Sequence, residues 1–270
     1  MMRDITLGQY FPGNSVIHKT DARMKIILLI LLIVNIFIAS TPAAYLMAAV
    51  IVFLAVILSK IPFSMILKSL KPILYVVLLT TIVNVLFTTG DVIFKFWIIK
   101  ITKQGLTRSL EMIIRIFLLV VATSLLTYTT SPMTLTDALE RLLSPLKRIK
   151  LPVHEFAMMM TIALRFIPTL IEEVDKITAA QKARGADFES GNLLSRVKAL
   201  VPILIPLFVS AFRRADELAV AMECRCYKGD EGRTRLKQYR LTSHDWIAFI
   251  IVVCDTALII GANILWKMYF

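Results

Sequence analysis

The stretch IILLILLIVNIFIASTPAAYLMAAVIVFLAVILS, Ile26 to Ser59, decides the fold, because no charged residue interrupts it. A helix that crosses a bilayer needs roughly 20 mostly apolar residues, since the hydrocarbon core is about 30 Å thick and each residue rises about 1.5 Å. The run is therefore too long for one crossing, and Ser40, Thr41 and Pro42 break it near its middle. It reads as two spanning helices joined by a tight turn. A cleaved leader is not expected, because a second apolar segment follows at once with no small-residue cleavage site between them.

Further uncharged stretches run from Pro72 to Gly90, from Ile116 to Thr136, and from Trp246 to Trp266, the last interrupted only by Asp255. Five spans are expected, which puts the termini on opposite faces. Ala199 to Phe212 is also uncharged, but it is short and holds Pro202 and Pro206, so an interfacial or partly inserted helix is expected there. Lys19, Arg23 and Lys25 precede the first span and the next turn carries no charge, which makes the amino end cytoplasmic. After the third span Lys95, Lys100, Lys103 and Arg108 outnumber Asp91 on the face that alternation assigns to the outside. An amphipathic helix near Phe94 to Ile99, lying on the surface, is the expectation for that segment.

Composition agrees with an integral membrane protein. Of 270 residues 57% are hydrophobic and only 19% charged, where soluble domains are nearer a quarter charged. The net charge of +12 comes from basic residues interleaved with acids along membrane edges, so anionic lipid rather than nucleic acid is the expected partner. Cys224, Cys226 and Cys254 make no disulfide framework, and Cys224 with Cys226 lacks the further ligands that a zinc site needs. Gly8 and Gly13 have the spacing of a phosphate-cradling loop, but Asn14 and Ser15 follow without the lysine. His18, His154 and His244 are scattered, and no set of nucleophile and base can be assembled. The chain is expected to be no enzyme, with no cofactor of its own. Asp255 and Arg115 are costly charges in apolar surroundings, read either as an ion site or, lacking a relay of others, as structural pairs with another helix. Asn35 and Asn84 read as interhelical hydrogen-bonding residues.

Most of the charge lies between the fourth and fifth spans, where Thr129 to Asp245 holds 18 Lys/Arg and 14 Asp/Glu. Phe156, Met160, Ala163, Ile167, Leu170, Val174 and Ile177 draw one apolar seam down a helix, and Leu194, Val197, Val201, Leu204, Phe208, Ala211, Ala215, Leu218 and Met222 draw another. Lys182-Ala183-Arg184-Gly185 closes the first helix and Glu223-Cys224-Arg225-Cys226 the second, each arginine nine residues after an aspartate, Asp175 or Asp216. A left-handed stop with a cation near the helix dipole accounts for either site alone. Repeated on two cytoplasmic helices, the same chemistry suggests paired docking pegs, because arginine's planar fork holds carboxylates or carbonyls and stays charged when buried. The expected division is residues 1–128 as the first four spans with an N-terminal segment, 129–240 as cytoplasmic coupling helices, and 241–270 as the last span. The fold class is all-α, integral to the membrane.

Three further stretches carry a family resemblance. Tyr10-Phe11-Pro12-Gly13-Asn14-Ser15, followed by His18, Asp21, Arg23 and Lys25, is similar to the opening of the transmembrane T-component of energy-coupling factor (ECF) vitamin importers, of the kind shared by several substrate-binding subunits. Leu142-Leu143-Ser144-Pro145-Leu146-Lys147, Pro152, Arg165-Phe166-Ile167-Pro168 and Ala180-Gln181-Lys182-Ala183-Arg184-Gly185 resemble its central stretch and first Ala-Arg-Gly motif. Ala221-Met222-Glu223-Cys224-Arg225-Cys226-Tyr227 sits where the second motif falls but keeps only Arg225, so the local helix stop is not carried over and Gly229 is the candidate end instead.

The resemblance implies a multi-pass protein of the bacterial plasma membrane whose arginine tips, Ala183-Arg184-Gly185 and Cys224-Arg225-Cys226, insert into two ABC-type ATPase subunits. It implies that ATP and Mg are bound by those subunits, and that a small membrane-embedded S-component binds the vitamin or other micronutrient. Met158, Met159 and Met160 form an adaptable patch, read as either a contact for several S-components or core filling. Two other readings stand beside this one: a permease subunit of the binding-protein-dependent ABC importers, which presents one such turn to an ATPase, and an ion-coupled carrier working alone, which would depend on Asp255.

Overall fold

The structure, a computed structural model, describes residues 10–96, 99–186, 188, 192–229 and 241–269. The helices in chain order are α1 (Val16–Lys19), α2 (Ala22–Ile38), α3 (Pro42–Ser59), α4 (Phe63–Phe87), α5 (Lys103–Thr129), α6 (Pro132–Leu143), α7 (Val153–Ala183), α8 (Leu193–Cys224) and α9 (Ser243–Tyr269). Strands β1 (Val92–Phe96) and β2 (Ile99–Thr102) pair antiparallel between α4 and α5, and a 3-10 turn at Ser144–Ile149 precedes α7. Two compact units emerge, one within Gly8–Leu135 and Gln238–Phe270, the other within Thr136–Lys237.

In the first unit the quoted apolar run is the expected hairpin. Thr41 accepts from the Ala44 N–H at 3.2 Å and Pro42 takes the first helical position, where its missing N–H costs nothing. Asn263 of α9 closes the turn: its Nδ2 donates to the Ile38 carbonyl at 2.8 Å, and its Oδ1 accepts from the Thr41 hydroxyl at 3.2 Å. Ala44, Ala48, Val52 and Val56 are buried at every fourth position of α3, a stripe of small residues that lets helices approach closely where lipid supplies no hydrophobic drive. With Ile36, Tyr45, Leu118, Val121, Ala122, Tyr128 and Ile259 they form the core of this unit.

Polar side chains set the helix directions. The Asp21 N–H donates to Asp245 at 3.0 Å, Asn35 donates to Asp255 at 3.3 Å, and Asn263 meets Ile38, so α9 runs parallel to α2. Lys25 Nζ donates to the Thr129 carbonyl at 3.0 Å and Arg115 to the Ala39 carbonyl at 3.3 Å, so α5 is antiparallel to α2. The Tyr128 hydroxyl donates to the Met65 carbonyl at 3.1 Å and Asn84 meets Met112 Sδ at 3.2 Å, so α4 is antiparallel to α5. The chain thus alternates direction through α2, α3, α4 and α5 and leaves through α9 in the sense in which it began.

Arg115 and Asp255 resolve into interhelical pairs. Arg115 also donates to the Tyr45 hydroxyl at 2.5 Å and lies over the rings of Phe37 and Tyr45 at 5.9 and 5.8 Å, where a desolvated cation gains from the ring faces. Asp255 is 4% exposed against Asn35.

Among the described residues four helices, Pro42–Ser59, Phe63–Phe87, Lys103–Thr129 and Ser243–Met268, are long and apolar enough to cross a membrane; α2 has 17 residues, one fewer than the shortest of these. Helix bounds differ from the uncharged stretches. α4 starts at Phe63 rather than Pro72 and α5 at Lys103 rather than Ile116, because lysines and arginines near a helix end carry their charge out to the interface on long stems. The amphipathic helix expected near Phe94 to Ile99 is instead the β hairpin, with Lys95 opposite Lys100 and Phe96 opposite Ile99; Trp97 and Ile98 lie outside the described residues. Val92, Ile93, Phe94, Phe96, Ile99 and Ile101 are β-branched or aromatic, which suits a pleated strand better than a helix.

The second unit holds α7 and α8. The segment expected as a short interfacial helix, Ala199 to Phe212, is the middle of a continuous 32-residue α8 with Pro202 and Pro206 inside it. Pro206 has no N–H to offer the carbonyl four residues before it, that of Pro202. Gln181 of α7 donates its Nε2 to that carbonyl at 3.4 Å, replacing the missing ladder bond from outside the helix.

Candidate docking tips

α7 and α8 pack antiparallel. Glu173 Oε2 accepts from Arg214 Nη2 at 2.5 Å, Gln181 reaches Pro202, and Ile162, Phe166 and Leu170 face Ala211, Ala215, Leu218 and Met222 across a narrow apolar gap. Two antiparallel helices place their C-termini at opposite ends. Met158 and Arg225 line the same groove, so Arg225 lies beside the start of α7, and the path from there to Arg184 along α7 is roughly 40 Å at the helical rise.

The two ends share one backbone geometry. At the first, Gly185 takes φ 88°, its N–H donates to the Lys182 carbonyl at 3.0 Å, and the Ala186 N–H donates to the Gln181 carbonyl at 3.0 Å. At the second, Cys226 takes φ 54°, its N–H donates to the Glu223 carbonyl at 2.8 Å, and the Tyr227 N–H donates to the Met222 carbonyl at 3.1 Å. This paired pattern closes a helix through one left-handed residue and satisfies two of its orphan carbonyls. Arg184 and Arg225 each occupy the cap position just before that residue. The Gly229 end is thus overturned: α8 stops at Cys224, and a cysteine performs the turn that glycine performs in α7.

Ala183, Arg184, Gly185, Cys224, Arg225 and Cys226 are all exposed. Among the described residues no side-chain hydrogen bond or ion pair occupies either guanidinium. A Cβ built on Gly185 would meet no atom of the described residues within 4 Å. The three methionines do not share a face, as successive helical residues diverge by about 100°: Met158 lines the groove beside Arg225, while Met159 and Met160 are each 53% exposed. Simple core filling does not describe the last two.

His154 joins a constellation that its sequence neighbours do not announce. It is 7% exposed at the start of α7; its Nδ1 lies 2.9 Å from Glu140 Oε1 of α6, and its Nε2 lies 3.3 Å from the hydroxyl of Tyr227 just past the second tip. The signal lay in residue types separated by 14 and 73 positions, beyond the reach of any periodicity.

Comparison with known proteins adds the following. The family described as cobalt transport protein (CbiQ) matches residues 13–236. An energy-coupling factor transporter transmembrane protein of Ruminiclostridium cellulolyticum is 56% identical over 253 residues, 94% of this chain and 95% of that one. Proteins of the same description from Clostridium kluyveri and Bacillus subtilis are 49% identical over 268 residues and 46% over 260, covering 98% and 96% of this chain and 99% and 98% of theirs.

Proposed function

Since the chain belongs to the energy-coupling factor transporter transmembrane proteins, the T-components of ECF transporters in the cell membrane, we propose that α7 and α8 are its coupling helices and that Arg184 and Arg225 dock into two separate ABC-type ATPases. The observation that carries this reading is the duplicated tip: two exposed arginines, each capping a helix in the same closed turn, at opposite ends of an antiparallel pair. Prongs roughly 40 Å apart suit two grooves rather than one. Arginine suits the contact because it stays charged in a desolvated groove and pairs bidentately with carboxylates or carbonyls.

In this reading ATP and Mg are bound by the ATPases, and the T-component contributes no catalytic group. α2 is a fifth span beside the four longer helices, its 17 residues at the short end of what crosses a bilayer. The vitamin or other micronutrient is bound by an S-component, toward which the exposed Phe156, Met159 and Met160 of α7 offer an adaptable apolar surface. The family assignment sets aside the binding-protein-dependent permease, and Asp255, on which an independent carrier would depend, is buried and bonded to Asn35. The test is copurification of the ATPases with the Arg184→Ala, Arg225→Ala and doubly substituted chains in the full complex. Each single change is expected to weaken one ATPase contact by about 2–5 kcal/mol, and ATPase retention and coupled uptake unchanged in the double variant would refute the docking role.

A further inference from the structure

The two tips differ in what stands behind them. Past Gly185 the residue that completes the turn is Ala186, whose methyl has nothing to donate or accept; past Cys226 it is Tyr227, whose hydroxyl meets His154 Nε2 at 3.3 Å. His154 and Glu140 are each 7% exposed and 2.9 Å apart through Nδ1. In the neutral tautomer that carries its proton on Nδ1, the ring donates to the Glu140 carboxylate and Nε2 accepts from the Tyr227 O–H. Every polar atom of the imidazole is then satisfied in one tautomer, and the chain of donors runs from Tyr227 through His154 to Glu140.

We propose that Glu140, His154 and Tyr227 form a positioning relay that holds the Arg225 tip in its docking orientation, so that the second prong is braced against α6 and α7. The proposal rests on Arg225 being a docking residue. The backbone of Arg225 and Cys226 is fixed on one side by the bonds to Met222 and Glu223 and on the other by Tyr227, whose ring reaches back to α7. A carboxylate, an imidazole and a phenol in series form a cooperative network, in which each bond polarises the next. α6 begins three residues after the last residue of α5, so the brace ties the second prong to the chain segment that follows directly from that apolar helix.

The experiment compares amide hydrogen exchange at 225–227 with that at 184–186 in the full-length chain, the first tip serving as internal control. Tyr227→Phe removes one oxygen and is expected to speed exchange at 225–227 by roughly three- to tenfold, the equivalent of one lost hydrogen bond, with 184–186 unchanged. Glu140→Gln keeps a carbonyl that can accept from Nδ1–H and is expected to stay near the wild-type rate, whereas Glu140→Ala is expected to loosen 225–227 as Tyr227→Phe does. No change at 225–227 in Tyr227→Phe, or an equal rise at both tips, overturns the relay. Copurification of the ATPases then separates the two ideas. If Arg225→Ala releases an ATPase and Tyr227→Phe, loosened at 225–227, does not weaken that contact, the relay has no positioning role. If Arg225→Ala itself retains both ATPases, it is the docking role of Arg225 that fails.

Discussion

The two arginine tips close by the same pair of backbone bonds but recruit different residues to do so. Gly185 enters the left-handed region without a Cβ to obstruct it, while Cys226 carries a side chain into the same region at φ 54°, at a cost of about 1–2 kcal/mol. The first tip thus closes at little backbone cost, and the second is strained but held by Tyr227. Strain of this kind persists where neighbouring contacts determine the backbone more strongly than the local preference does. The difference teaches that a motif is defined by the carbonyls it must satisfy and by where the cation ends up, and only secondarily by the residue that makes the turn.

The largest effect that would break the comparison is the double change Arg184→Ala and Arg225→Ala, expected to abolish copurification of both ATPases, whereas each single change removes one contact and leaves the other. Loss of both contacts on a single substitution would mean that the tips do not act separately. Next in size, Gly185→Ala is expected to destabilise the first tip by about 1–2 kcal/mol, with faster amide exchange at 184–186. Because an added Cβ meets no atom within 4 Å, that cost is conformational, and an unchanged exchange rate would show that the first helix does not depend on the left-handed stop.

The reciprocal change, Cys226→Gly, is expected to stabilise the second tip by about 1 kcal/mol, since glycine adopts the same turn without penalty; slower exchange at 225–227 is the measurement. A smaller effect is expected from Gln181→Ala, about 0.5–1.5 kcal/mol, because it leaves the Pro202 carbonyl without the donor that replaces the missing Pro206 N–H. Its signature is a lower denaturation midpoint with both arginine contacts retained.

How much of this was legible follows from the range of each signal. The hairpin of α2 and α3 could be read directly, since the uncharged run, the Ser40-Thr41-Pro42 break and the capping threonine are all local. The arginine ends of α7 and α8 were visible for the same reason. The second stop was misplaced at Gly229 because residue preference favours glycine in the left-handed region, and nothing near Cys226 in the chain signals that a cysteine will take it. The β hairpin was missed because a segment bounded by charge and rich in apolar residues satisfies a surface helix and a short strand pair about equally well until the register is known. Helix starts at Phe63 and Lys103 were missed because absence of charge marks the hydrocarbon-matched centre of a helix rather than its ends.

By itself, the order of residues determined that the chain lies in a membrane, where it turns between α2 and α3, and that two amphipathic helices end in arginine, because apolar length, periodicity and capping act within a few turns of helix. Only the tertiary structure decided that α9 returns parallel to α2 through Asp21 with Asp245 and Asn35 with Asp255, that α7 and α8 send their arginines to opposite ends, and that Glu140 and His154 stand behind one of them. Those are pairings across tens to hundreds of residues. They are selected by which buried donor finds which acceptor once the helices pack, a competition that no local window of sequence contains.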